Sequence, residues 1–173
     1  MYKTFLITIL LFICLCSDQY CQNNRVTADE ATIKERLETI AVENLKSWEP
    51  PFYEEEMLKP FVREKDLTVI IDGFPIKGFE QWKKIVYESM QEDRNQEFKK
   101  YQHIVKKIRT SILSANSGSV TVIYVGDHIT KENIHYKTDA AVTLVFKRIK
   151  DLWKIIQFHC SHGRERIIAE NND

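Results

Sequence analysis

Apolar and polar positions alternate with two different periods along this chain, and the change of period divides it in two. From Thr27 to Pro51, Ile33, Leu37, Ile40, Ala41 and Trp48 recur at helical spacing, so one apolar stripe faces a core. Thr27 and Glu30 form a capping box, in which each side chain satisfies a free backbone amide at the helix start. Pro50 and Pro51 stop the helix. A short acidic helix is predicted over 52–62 with Pro60 near its end, and a third over 79–91 with Phe79, Trp82, Val86 and Met90 on one side. Between them, "DLTVIIDG" changes to a β-rich run closed by Asp72-Gly73. After residue 100 the period becomes two. Strands are predicted over 101–113, with Ile104, Ile108 and Ile112 on one face, and over 120–129, 137–149 and 153–161.

Helices first and a meander of long strands last predict an α+β fold, with a curved antiparallel sheet packed on three N-terminal helices. The last strand, "WKIIQFHCS", carries a gradient. Under strict alternation Trp153, Ile155, Gln157, His159 and Ser161 share one face, and Ile156, Phe158 and Cys160 share the other. The first set passes from apolar to polar, as expected of a strand running from a packed interior to a pocket mouth. The plainer alternative is that Gln157, His159 and Ser161 bond to one another or to backbone near a sheet end.

Composition narrows the functions without naming one. Of 173 residues, 25 are basic and 25 acidic, so no excess charge attracts nucleic acid or anionic lipid. Lys3 followed by the apolar stretch Thr4 to Cys16 has signal-peptide architecture, and is short against the roughly 20 apolar residues of a membrane span. Residues 1–16 are therefore expected to be a leader, 17–26 a polar tether, 27–168 one domain and 169–173 a polar tail. Export is expected, to a secreted or periplasmic location, with membrane contact only through the leader or a lipid on Cys16, since "ICLCSD" is a degraded lipobox. Cys14 and Cys16 fall in the leader, which leaves Cys21 and Cys160, far short of a disulfide framework.

A first helix ending near a Trp, a short second helix, "DLTVIIDG" before an F-x-x-W helix, and a meander closing on "WKIIQFHCSHG" together resemble the SnoaL-like or ketosteroid-isomerase-like group of the nuclear transport factor two superfamily. The closing W-x-I-x-x-x-H-x-S is also similar to the end of the calcium/calmodulin-dependent kinase association domain of that superfamily. The resemblance spans roughly residues 30 to 163. It implies a cone-shaped cystatin-like roll with a pocket at its open end, and often a homodimer through the outer sheet face.

Similar isomerases use an aspartate base, whose place falls at Ile71 or Asp72, so that a base survives if Asp72 points inward and is lost if Ile71 does, and the places of their two acids hold Asn44 and Thr143, which are poorer donors of a proton. Asp72-Gly73 also fits an ordinary turn. Cys160 is expected to point away from His159, against a nucleophile–base pair, and the spacings of His128, His135, His159 and His162 fit no metal pattern. No cofactor is implied. The expected function is binding of a small apolar molecule with polar handles by Trp48, Tyr53, Tyr124, Thr143, Gln157, His159 and Ser161, with catalysis unsupported. The alternatives are a noncatalytic homo-oligomerisation module and an isomerase using Asp72.

Overall fold

The computed structural model describes residues 29–95 and 98–168. The expected leader, tether, capping-box Thr27, Cys14, Cys16, Cys21 and the tail at 169–173 lie outside the described residues. Helix α1 occupies 29–46, followed by α2 (Glu54–Leu58), β1 (Thr68–Ile71), β2 (Phe74–Lys77), α3 (Phe79–Asn95), β3 (Phe98–Ser114), β4 (Ser117–Thr130), β5 (His135–Ile149) and β6 (Leu152–Ile168). The strands form one curved sheet in the order β2-β1-β6-β5-β4-β3.

The α+β cone holds, with two corrections of detail. β1 runs parallel to β6, so the sheet is mixed, and residues 74–77 form a short strand hairpinned onto β1. Asp72 (φ 50°) and Gly73 (φ 87°) make that hairpin's two-residue turn, which demands positive φ at both positions. α2 is shorter than the 52–62 expected. Pro60 and the two residues after it turn to β6 instead, through hydrogen bonds of 2.8 Å from the Ile155 amide to the Pro60 carbonyl and 3.0 Å from the Val62 amide to the Ile155 carbonyl. The β5–β6 hairpin lacks glycine and turns on Lys150 (φ 47°) and Asp151 (φ 65°), leaving Leu152 free to begin the strand.

α1 lies in the hollow of the sheet. Leu37, Ala41 and Leu45 are buried on its inner face, at spacings of four that keep them over one another. The approach is close: a Cβ on Gly118 of β4 would stand 2.6 Å from Leu37 Cδ1 and 3.1 Å from the Ser111 carbonyl. From the sheet side, Val120, Val122, Leu144, Phe146 and Ile155 complete the core. Trp48, Phe61, Trp82 and Phe158 pack with ring centroids 5.7 to 6.5 Å apart, an aromatic floor above which the cone is hollow.

Two bulges decide what faces that hollow. In β3, Val105 pairs with Tyr124 and Lys107 with Ile123, so Lys106 is an extra residue. In β6, Gln157 pairs with Val145 and Ile155 with Phe146, so Ile156 is extra. Each extra residue moves the following side chains to the opposite face.

Candidate active site

The hollow is a cavity of about 130 Å³ lined mainly by apolar side chains: Leu45 of α1 and Trp48 just after it, Ile71 of β1, Trp82 and Met90 of α3, Val142 of β5 and Phe158 of β6. Its volume is close to the ~150 Å³ of an apolar cavity that accepts benzene. The polar members are Asn44, Tyr101, His103, Tyr124, Cys160 and His162. A more open cleft of about 370 Å³ shares Tyr101, His103, Tyr124 and His162 with it and leads outward past His128 and Glu165.

His103 enters because of the bulge at Lys106. Tyr101, His103 and Val105 alternate onto the inner face before it, while Ile108 and Ile112 pack on the core after it. Ile104 is thereby separated from the face of Ile108 and Ile112, contrary to strict alternation. The His103 side chain is 8% exposed, and its Nδ1 has no hydrogen-bond partner. Glu49 holds it in place from the end of α1: Oε1 accepts the His103 backbone N–H at 2.6 Å and lies 3.5 Å from Nδ1. Burial lowers the His103 pKa, and the Glu49 charge opposes that shift without cancelling it. The imidazole is neutral at neutral pH and able to accept a proton. Trp82 Nε1, also fully buried, is a second orphan on the cavity lining, and an indole N–H can only donate.

Beside His103, whose ring meets the Tyr124 ring with centroids 5.1 Å apart, runs a chain of polar contacts. His162 Nδ1 lies 2.9 Å from Asp72 Oδ2, and the His162 backbone N–H donates to Asp72 Oδ1 at 2.7 Å. His162 Nε2 lies 3.6 Å from Cys160 Sγ, which lies 3.7 Å from the Tyr124 hydroxyl. The Cys160 contact, and after it Asp72, raises the His162 pKa to about 9 against the effect of burial. His162 is thus an imidazolium at neutral pH. Asp72 is lowered, first by the His162 backbone N–H. Burial, and then Cys160, raises the Tyr124 phenol, which stays protonated as a donor.

Sequence-expected residues divide sharply. Trp48 and Tyr124 line the cavity. Tyr53 is 61% exposed and lies outside the lining. Gln157, His159 and Ser161 are exposed on the outer face, a correction forced by the bulge at Ile156, which turns Phe158 and Cys160 inward in their place. His159 Nε2 meets Ser161 Oγ at 3.4 Å, the plainer alternative for that strand. Thr143 pairs with His159 across the strands and its hydroxyl meets Thr121 Oγ1 at 3.0 Å, again away from the cavity. Ile71, not Asp72, lines the hollow, so Asp72 is not placed as a base against a ligand and acts on it only through His162. Asn44 does line the cavity, donating from Nδ2 to the Met57 carbonyl at 3.1 Å.

Glu49, Trp82, His103, Cys160 and His162 were absent from the expected site. Alternating Tyr101 and His103 ahead of the apolar Val105 was the one sequence signal for His103. Nothing local signals the bulges. Among the described residues no group of three or more His, Cys, Asp or Glu could hold a metal ion, and no helix is long and apolar enough to cross a membrane.

No protein-family profile matches the sequence, and no curated protein sequence matches it. Solved structures do. The chain is similar to a candidate scytalone dehydratase from Novosphingobium aromaticivorans, with a TM-score of 0.67 and 16% identity over 83% of this chain and 92% of the other. It is similar to the hexachlorocyclohexane dehydrochlorinase LinA-type3 from Novosphingobium barchaimii, with a TM-score of 0.66 and 14% identity over 83% and 95%. A third, a candidate dehydratase of the NTF2-like family from Streptomyces avermitilis, has a TM-score of 0.63 and 14% identity over 78% and 99%. The chain has the NTF2-like fold.

Proposed function

We propose that this chain binds a compact, single-ring molecule in the cone and eliminates water from it, with His103 as base and His162 as acid. The observation that carries the reading is one apolar cavity of about 130 Å³ on whose lining Trp82 Nε1 is buried without a hydrogen-bond partner and His103 is buried with only a long contact of 3.5 Å from Nδ1 to Glu49. An unpaired buried polar group costs about 1–3 kcal/mol, which a ligand with a matching acceptor recovers. That favours a mostly apolar ligand with one or two polar atoms.

The chemistry follows from the protonation states. Two histidines on one cavity are pushed apart, His103 downward by burial and His162 up to about 9 by Cys160 and Asp72, which supplies a neutral base and a charged acid at the same pH. In a cyclic β-hydroxy ketone, His103 takes a proton from the carbon beside the carbonyl, the electron pair forms the C=C bond, and the C–O bond breaks. His162 gives its proton to the departing oxygen, which leaves as water. Trp82 Nε1–H and the Tyr124 hydroxyl are the donors for the carbonyl oxygen. Two structural neighbours are named for related losses, of HCl and of water, which supports the class of reaction.

The test is incubation of 3-hydroxycyclohexanone with the protein in D₂O, followed by proton NMR. Deuterium beside the carbonyl and appearance of cyclohexenone, free or joined to Cys160, are expected, both reduced about 10²–10⁴-fold in His103→Gln. No exchange above buffer at any pH from 6 to about 9 contradicts the reading. Export is a separate proposal supported by the leader pattern over residues 4–16, and N-terminal sequencing of chain recovered outside the cytoplasm tests it.

A further inference from the structure

We infer that Cys160 is a primed nucleophile, served by His162 and Asp72, which forms a thioether with compact α,β-unsaturated carbonyl compounds entering the cone. Three residues, one on the β1–β2 turn and two on β6, are arranged in series. Asp72 Oδ2 faces His162 Nδ1 at 2.9 Å, and His162 Nε2 faces Cys160 Sγ at 3.6 Å, so carboxylate, imidazole and thiol follow the order that activates a sulfur nucleophile. The carboxylate fixes the ring from behind. The ring, charged at neutral pH, points Nε2–H at the sulfur and stabilises the thiolate.

The sulfur faces a place for a substrate. Cys160 is 5% exposed and lines the same cavity as the partnerless Trp82 Nε1 and His103 Nδ1, both at least nine-tenths buried, so the hollow beside the thiol carries unmet hydrogen-bonding capacity of its own. Tyr124, 3.7 Å from Sγ on the neighbouring side, is a hydroxyl donor for a carbonyl oxygen near the sulfur. The ionisable groups around Cys160 are Tyr124 from β4, His103 from β3, His162 from β6 and Asp72 from the β1–β2 turn, with His159 acting on Asp72 from the outer face.

The step balances without a further reactant. The thiol proton passes to solvent, the thiolate sulfur forms a bond to the β-carbon, the C=C electron pair moves to the α-carbon as an enolate, and the imidazolium of His162 delivers its proton to that carbon and regains one from solvent. The product is a saturated ketone joined to Cys160 by a thioether. An apolar hollow of single-ring size selects cyclic enones over long-chain ones. The inference rests on the cavity being the binding site, and not on proton transfer by His103.

The experiment uses the full chain with 2-cyclohexen-1-one and reads intact mass and peptide maps, which separate Cys160 from Cys14, Cys16 and Cys21. One adduct is expected at Cys160, formed at least tenfold faster at pH 7 than with N-acetylcysteine. His162→Gln and Asp72→Asn are each expected to slow it tenfold or more, with their melting temperatures recorded beside the wild type. A wild-type rate no greater than that of the free thiol, rising tenfold per pH unit, overturns the inference without reference to any variant. Heat stabilisation of Cys160→Ser by the enone, with wild-type Cys160 unmodified, overturns the nucleophile and leaves the cavity standing. An enone that neither stabilises nor reacts overturns both.

Discussion

Glu49 Oε1 accepts the backbone N–H of His103 at 2.6 Å and stands 3.5 Å from the Nδ1 of the same residue. One carboxylate therefore fixes the strand and polarises the ring it carries. Glu49→Gln keeps an oxygen for the backbone amide and removes the charge. Because that charge opposes the lowering by burial, its loss is expected to move the His103 pKa further down. Imidazole carbon shifts in an NMR titration check the direction, and turnover is expected to fall roughly tenfold, within the range of a lost charge-assisted contact. An upward shift contradicts the assignment.

The Asp72–His162 pair makes stability depend on pH in a defined window. His162, raised to about 9, contributes stability that is complete below its unfolded value near 6.5 and is lost as pH rises through 9. Asp72, lowered from 3.8, contributes stability present above that value and lost as pH falls below it. Both side chains are more than two-fifths exposed, so solvent screening holds the contribution to about 1 kcal/mol or less. Denaturant titrations at pH 2, 7 and 10 are expected to show the advantage of the wild type over Asp72→Asn largest at pH 7, reduced at pH 10 where only the His162 backbone N–H still favours the carboxylate, and smallest at pH 2.

His159→Ala is expected to change neither ligand binding nor stability beyond about 0.5 kcal/mol, because the ring lies on the exposed outer face. Phe158→Ala, one residue earlier and part of the aromatic floor, is expected to cost about 3–5 kcal/mol. Chemical denaturation of the two variants separates them. Equal losses contradict the bulge at Ile156.

Gly118→Ala places a methyl group 2.6 Å from Leu37 Cδ1 and 3.1 Å from a backbone carbonyl. Overpacking of this kind costs about 1–3 kcal/mol, read as a lower melting temperature. Leu37→Ala in the same chain is expected to relieve the clash in part, so the two substitutions are non-additive.

Much of the architecture was legible in the sequence, since period and composition are local properties. The stripe of Leu37 and Ala41, the turn at Asp72-Gly73 and the long strands all follow from them. The site was less legible for one physical reason. Alternation predicts a face only while pairing is regular, and the bulges at Lys106 and Ile156 each insert a residue that the partner strand alone reveals. Tyr101, His103, Phe158 and Cys160 therefore took the inner places, while His159 and Ser161 went outward. Tyr124 fell on a regular stretch of β4 and Trp48 in the turn after α1, and both line the cavity.

Isotope-filtered NOE spectroscopy of the protein with cyclohexanone tests most directly whether the hollow inside the cone is the binding site. Contacts from ring protons to Trp48, Trp82, Tyr124 and Phe158, abolished by filling the cavity with Val142→Phe, are the expected result. Contacts confined to the outer groove beside Trp153 and Lys154, or the absence of saturable binding, would contradict it.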